Sequence, residues 1–169
     1  MSTRRLDDVT EIEWLDFLKM DVQGAELSVL QNGHERLKSA VAIQTEVSFV
    51  PLYKDQPTFG EIDLELGRLG FLPHCFVEIK KKLIAPLEGK TPHDGINQLL
   101  EADILYTRDF AKPEQMSPEQ LKHLAIVAHH CYRSFDLTAN CIHYLAGADG
   151  VPKDALQQYV AALEEAGER

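Results

Sequence analysis

The sequence predicts an α/β fold, with strands and helices alternating through its first two-thirds and a helical region after them. Three observations carry that reading. Residues 15–30, LDFLKMDVQGAELSVL, run from a short apolar stretch through an acid and a Gly turn into a helix. Such a segment delivers a polar group from the carboxyl end of a parallel strand to a binding crevice. Apolar residues then recur with strand and helix periods in turn up to residue 108. Beyond residue 112 only the helical period remains. The expected division is an α/β domain over 1–111 and a helical extension over 112–169.

The elements follow in order. Residues 17–22 read as a buried strand because both faces are largely apolar. A helix is expected from Ala25 to Gln31, with Asn32-Gly33 as a left-handed stop. A second short helix follows over 35–39. Residues 41–49 form the next strand, with Val41, Ile43, Thr45 and Val47 on one face and Ala42, Gln44, Glu46 and Ser48 on the other. The polar second face suggests that it lines an opening. After a loop over 51–57, Thr58-Phe-Gly-Glu61 has the pattern of a capping box. The helix it starts puts Phe59, Ile62, Leu66 and Leu69 on one stripe and ends at Gly70. Strands are expected over 71–78 and 102–107. Between them, Gly89, Pro92 and Gly95 mark a loop. In the tail, Ser117-Pro118-Glu119-Gln120 is a strong helix start. Three stripes follow: Leu121, Leu124, Ala125, Ala128 and Tyr132; then Leu137, Cys141, Tyr144 and Leu145; then Leu156, Tyr159, Val160 and Leu163.

Composition narrows the function. The chain has 169 residues, 44% of them apolar and 26% charged, enough for an ordinary globular core. A net charge of −10 argues against nucleic acid as a partner, because phosphate neutralisation needs clustered Lys and Arg. The one basic run, Lys80-Lys81-Lys82, reads as a solvated strand end or turn. No apolar run reaches membrane-spanning length and no apolar leader follows the start, so no membrane partner is expected and the cytoplasm is the expected location. Cys75, Cys131 and Cys141 are odd in number and read as reduced thiols buried as small hydrophobes. His123, His129, His130 and His143 crowd the tail beside two of those cysteines. Their spacing matches no zinc module, so no metal site is expected.

Three motifs together resemble FkbM-type S-adenosylmethionine-dependent methyltransferases: FLKMDVQGAELSVLQNG, TEVSFVPLYKDQPTFGEI and EADILYTR. Leu6-Asp-Asp-Val9 is similar to that family's lead-in, and the resemblance spans residues 6–108. It implies a partial doubly wound, Rossmann-like methyltransferase sheet of about four strands. Its strands would be the fourth to seventh of a class I methyltransferase, the last one antiparallel. It also implies a site at the carboxyl strand ends. Asp21 and Glu46 would be catalytic, as base or acceptor-orienting groups. Asp21, Gln23 and Gly24 would hold the cofactor, S-adenosylmethionine, and Tyr53 and Gln56 would touch the substrate. Gln23 stands where an acid is more often expected.

The same residues have plainer readings. Asp21 suits a helix cap, and Glu26 a first-turn acid favoured by the helix dipole. Glu46 suits a solvated strand end, and Tyr53 and Gln56 suit loop anchors.

The sequence contains no G-x-G-x-x-G and no acid followed by a G-x-G turn. The expectation is therefore the carboxyl-terminal portion of an O-methyltransferase acting on a hydroxyl of a small molecule such as a sugar or polyketide, with cofactor binding by this chain alone in doubt. The competing expectation is a non-catalytic interaction or oligomerisation module derived from such an enzyme. A small-ligand-binding remnant lies between the two. The apolar edge of the 17–22 strand is expected to be covered by the chain's own termini or to pair in a homo-oligomer.

Overall fold

The computed structural model describes residues 3–89, 91 and 94–168. The chain divides into two compact units, Met1–Thr107 and Arg108–Arg169. The first is α/β. Its strands are β1 (Phe17–Met20), β2 (Ala42–Ser48), β3 (Phe71–Lys82) and β4 (Gln98–Arg108), joined in one sheet of order β1-β2-β4-β3. β1 and β2 pair in parallel, with Met20 opposite Thr45, and β2 pairs antiparallel with β4. One parallel pair in a four-stranded sheet fits a partial Rossmann-like arrangement with an antiparallel last strand, as expected.

Helices α1 (Glu26–Gln31), α2 (His34–Leu37) and α3 (Phe59–Arg68) lie in the crossovers. The Thr58 capping box forms, with the Thr58 N–H donating to Glu61 Oε2 at 2.8 Å. Ile62 and Leu66 of the expected stripe are fully buried, while Phe59 and Leu69 pack against the same cluster. That cluster is the core of the unit and joins Leu30, Leu37, Ile43, Val47, Phe71, Ile104 and Tyr106. Two polar contacts tie the helices down. Glu65, buried on α3, meets His34 Nε2 at 2.8 Å, and the Tyr106 hydroxyl donates to Asp63.

Some local expectations are corrected. Asn32 and Gly33 do not form a left-handed stop, since their φ values are −111° and −133°. Gly33 is required for space instead: a Cβ there would stand 2.7 Å from Leu6 Cδ2 and 3.0 Å from the Val29 carbonyl. The lead-in around Leu6 packs on this corner, where the Asp7 N–H donates to the Asn32 carbonyl. β3 runs four residues past its expected end, and β4 begins four residues before and ends one residue after its expected bounds, because pairing in the sheet satisfies backbone groups that a loop would leave to water. Lys80-Lys81-Lys82 is thus part of a strand, and its side chains alternate in direction. Pro92, part of the expected loop, lies outside the described residues.

The second unit is helical: α4 (Pro118–Tyr132), α5 (Phe135–Gly147) and α6 (Ala155–Glu165). Ser117 caps α4 by accepting from the Gln120 N–H at 3.2 Å, with Pro118 in the first turn as expected. Leu121, Leu124, Ala128, Leu137, Cys141, Leu145 and Leu163 are buried. Tyr144 is exposed, off the buried stripe of α5. Of the three free thiols only Cys141 is buried; Cys75 and Cys131 are exposed, which corrects the expectation of buried cysteines. No helix among the described residues is long and apolar enough to cross a membrane.

Two outcomes follow. A thiol reagent at pH 8 should label Cys131 and Cys75 in the native protein and Cys141 only after denaturation, because burial pushes the Cys141 thiol up to about 12. Leu66→Ala should cost about 2–5 kcal/mol in a urea titration, as expected for a fully buried leucine beneath a sheet.

Candidate functional site

The carboxyl ends of β1 and β2 lie side by side. One step beyond the paired Met20 and Thr45 come Asp21 and Glu46. Past Asp21 the chain turns sharply: Gln23 and Gly24 both have positive φ, 54° and 96°, and the Ala25 N–H donates back to the Val22 carbonyl. A glycine suits that conformation, and Gln23 holds it at some local strain. Asp21 does not cap α1, whose N-cap is Ala25 with no side-chain bond. Its carboxylate is exposed and accepts instead from Gln23 Nε2 at 2.9 Å. Glu26 closes the turn. It is only 3% exposed and accepts the Val22 N–H at 3.0 Å, a structural task more specific than a favourable place on a helix dipole.

The loop after β2 folds onto this turn. Gln56 accepts from the N–H groups of Leu52 and Tyr53 at 2.7 and 3.2 Å and donates to Ser48 Oγ at 2.7 Å. Its side chain is therefore spent on holding the loop to the end of β2. The Tyr53 hydroxyl donates to Gln23 Oε1 at 3.2 Å, while its ring stays half exposed. Both residues reach Gly24, where an added Cβ would be 3.5 Å from Gln56 Cγ and 3.8 Å from Tyr53 Cδ2. Asp21, Gln23, Gly24, Tyr53 and Gln56 thus share one connected corner.

Glu46 is set deeper. All of β2 is buried, so its polar face does not open broadly to water as the sequence suggested; partners satisfy it instead. Gln44 donates to Asp103 at 2.9 Å and Ser48 meets Gln56. Glu46, 7% exposed, takes a 2.6 Å bond from Lys80 Nζ on its Oε1. The same ammonium lies 3.5 Å from Glu101 on β4. Among the described residues, Glu46 Oε2 accepts no hydrogen bond. Burial raises the Glu46 carboxyl above the usual carboxylate range; the bond from Lys80 opposes that rise, and the charges of Glu101 and Asp21 add to it. Lys80, bonded to Glu46, is held above the ordinary lysine value.

Sequence reasoning missed Lys80 and Glu101. Lys80 was hidden in a charge run. The available signal was its alternation: in a strand, Lys80 and Lys82 point to one face and Lys81 to the other. Lys81 indeed donates elsewhere, to the Ile96 carbonyl. In the helical unit, the described residues contain no cluster of His, Cys, Asp and Glu able to hold a metal ion.

Residues 1–73 match the family model of the methyltransferase FkbM domain. Over that segment the chain is similar to FkbM-type methyltransferases, and the match points to methyl transfer. It covers 73 of the 169 residues and includes Asp21, Gln23, Gly24, Glu46, Tyr53 and Gln56, but neither Lys80 nor Glu101. No curated protein and no solved structure matches the chain.

The turn supplies a direct test. Glu26→Ala should destabilise the protein by about 1–3 kcal/mol in denaturant unfolding, because it strands the Val22 N–H. Glu26→Gln, which keeps an acceptor oxygen, should recover most of that loss.

Proposed function

We propose that the corner between β1 and β2 is the acceptor and cofactor site of an S-adenosylmethionine-dependent O-methyltransferase of FkbM type. The observation that carries the reading is the pair of carboxylates at adjacent parallel strand ends, Asp21 exposed on the turn and Glu46 buried beside it. Ligands of open α/β sheets bind at carboxyl strand ends. The charge balance also suits this cofactor. Lys80 is the cation bonded to Glu46, Asp21 and Glu101 bear on Glu46 with like charge, and Asp103 pairs with it across the strands, so these groups carry an excess of negative charge. S-Adenosylmethionine is a cation at its sulfonium and amino groups, and an anionic corner favours it.

Bound there, the cofactor would supply an electrophilic methyl group. The protein's own residues do the rest. Asp21, steadied by Gln23, would hold a cationic group at the turn, and Gly24 permits the sharp bend that presents it. Glu46 Oε2 would take the proton of the acceptor hydroxyl, while Oε1 stays fixed by Lys80. The half-exposed ring of Tyr53 would form one wall for a small-molecule acceptor such as a sugar or polyketide, and Gln56 would hold that wall in place.

Calorimetric titration of S-adenosylmethionine into the full chain tests the reading. Saturable binding that is lost in Asp21→Ala is the expected result; no heat at millimolar ligand would overturn it. With a competent acceptor, Glu46→Gln should lower kcat about 10²–10⁴-fold, the range for a general base. Turnover of the unmodified protein should rise with pH through a midpoint above the ordinary glutamate value, because burial raises the Glu46 carboxyl.

A further inference from the structure

We infer that Lys80 is the positioning residue of this site: its ammonium, bound to Glu46 and paired with Glu101, fixes one oxygen of the Glu46 carboxylate and keeps the group ionised so that the other oxygen accepts a proton. The inference takes Glu46 as the proton acceptor and so rests on the reading above.

The geometry is specific. In the sheet, β3 lies two places from β2, with β4 between them. Neighbouring strands are about 4.8 Å apart, so Lys80 and Glu46 start roughly 10 Å apart at the backbone. Only two long side chains can meet across that gap, and these do, at 2.6 Å. Ser48 and Glu101 are cross-strand partners, as are Glu46 and Asp103, so Glu101 borders the path that the lysine takes. The 3.5 Å contact to Glu101 steers the ammonium without replacing its bond to Glu46.

The chemistry needs such a partner. A carboxylate that is 7% exposed loses most of its hydration, and loss of hydration favours the neutral acid. A protonated Glu46 has no capacity as a base. Asp21 and Glu101 bear on it with like charge, which pushes the same way. Lys80 is the cation that touches it, and it is itself 35% exposed, so its own charge remains hydrated. Lys80 therefore divides the labour between the two oxygens: Oε1 is engaged and immobile, and Oε2 is open to a proton.

Carbon-detected NMR of the full-length protein labelled at its glutamate carboxyl carbons tests this without any acceptor or cofactor. Glu46→Gln assigns the signal by its loss. In Lys80→Met the Glu46 midpoint should rise by about one pH unit or more, the scale on which a charge in contact moves a carboxyl. Lys80→Arg should keep it near the wild-type value. Glu101→Gln should move it the other way, downward, which also covers the case in which Lys80→Met fails to fold. A Glu46 midpoint unmoved in Lys80→Met and in Glu101→Gln, with both folded, would overturn the inference. If the wild-type protein transfers methyl groups, the acid limb of its pH profile should move with the NMR midpoint in each variant, and a limb that stays in place also counts against it. Absence of transfer by the wild type would instead count against the proposed reaction, while the NMR midpoints still decide the role of Lys80.

Discussion

A strand buried on both faces cannot carry polar side chains unless each one finds a partner, and the first unit is organised around that constraint. β2 is buried throughout, yet it bears Gln44, Glu46 and Ser48 on one face. An unmatched polar group there would cost on the order of 1–3 kcal/mol, and an unmatched charge more. Each of the three is matched from a different element. Gln44 takes Asp103 from β4, Glu46 takes Lys80 from β3, and Ser48 takes Gln56 from the loop that follows. The sheet order and the loop path are thereby locked to one strand. The opposite face of β2 joins Ile43 and Val47 to the apolar core, so register there is fixed as well: a slip of one residue would put Glu46 among leucines.

The same constraint shapes the corner where β1 ends. Gln56 is drawn to Ser48, and in reaching it accepts two backbone N–H groups of its own loop. That closure puts Tyr53 within reach of Gln23, and Gln23 in turn steadies Asp21. A chain of polar contacts therefore runs from the buried strand to the exposed carboxylate. Sites of this kind work best when groups that meet a ligand are held by groups that do not. Gln56 and Glu26 belong to the second sort here: both are occupied by backbone N–H groups.

How much of this was legible in the sequence depended on the range of the interaction. The Thr58 and Ser117 starts were legible because a cap and its partner are three residues apart. The strand–turn–helix at Asp21 was legible because its acid and its Gly are three residues apart. The stop at Asn32-Gly33 was misread: Gly33 answers to Leu6 and Val29, and a contact to Leu6 leaves no local signature. The polar face of β2 was visible, but its alternation could not say whether water or protein satisfied it. Residues 44 and 103 are 59 positions apart, and residues 46 and 80 are 34 apart. Pairs at such separation are set by sheet order, which periodicity does not encode. Asp21, Gln23, Gly24, Tyr53 and Gln56 were read as site residues from a resemblance, and the structure joins them by hydrogen bonds and close packing.

Lys80 also separates two meanings of a charge run. Three consecutive lysines look uniform, and on a loop they would be. On a strand the pleat assigns them to opposite faces, so one can be structural while its neighbours are not. Here Lys80 turns inward to two carboxylates, Lys81 meets a backbone carbonyl, and Lys82 is exposed. The inward one sits in surroundings of net negative charge, and this decides its effect. In a neutral pocket a lysine beside a glutamate would hold that carboxyl low and make it a poor base. With burial and the charges of Asp21 and Glu101 pulling upward, the same lysine leaves Glu46 above the ordinary carboxylate range. A carboxylate in that position is more basic than one in water, which favours proton abstraction from a hydroxyl.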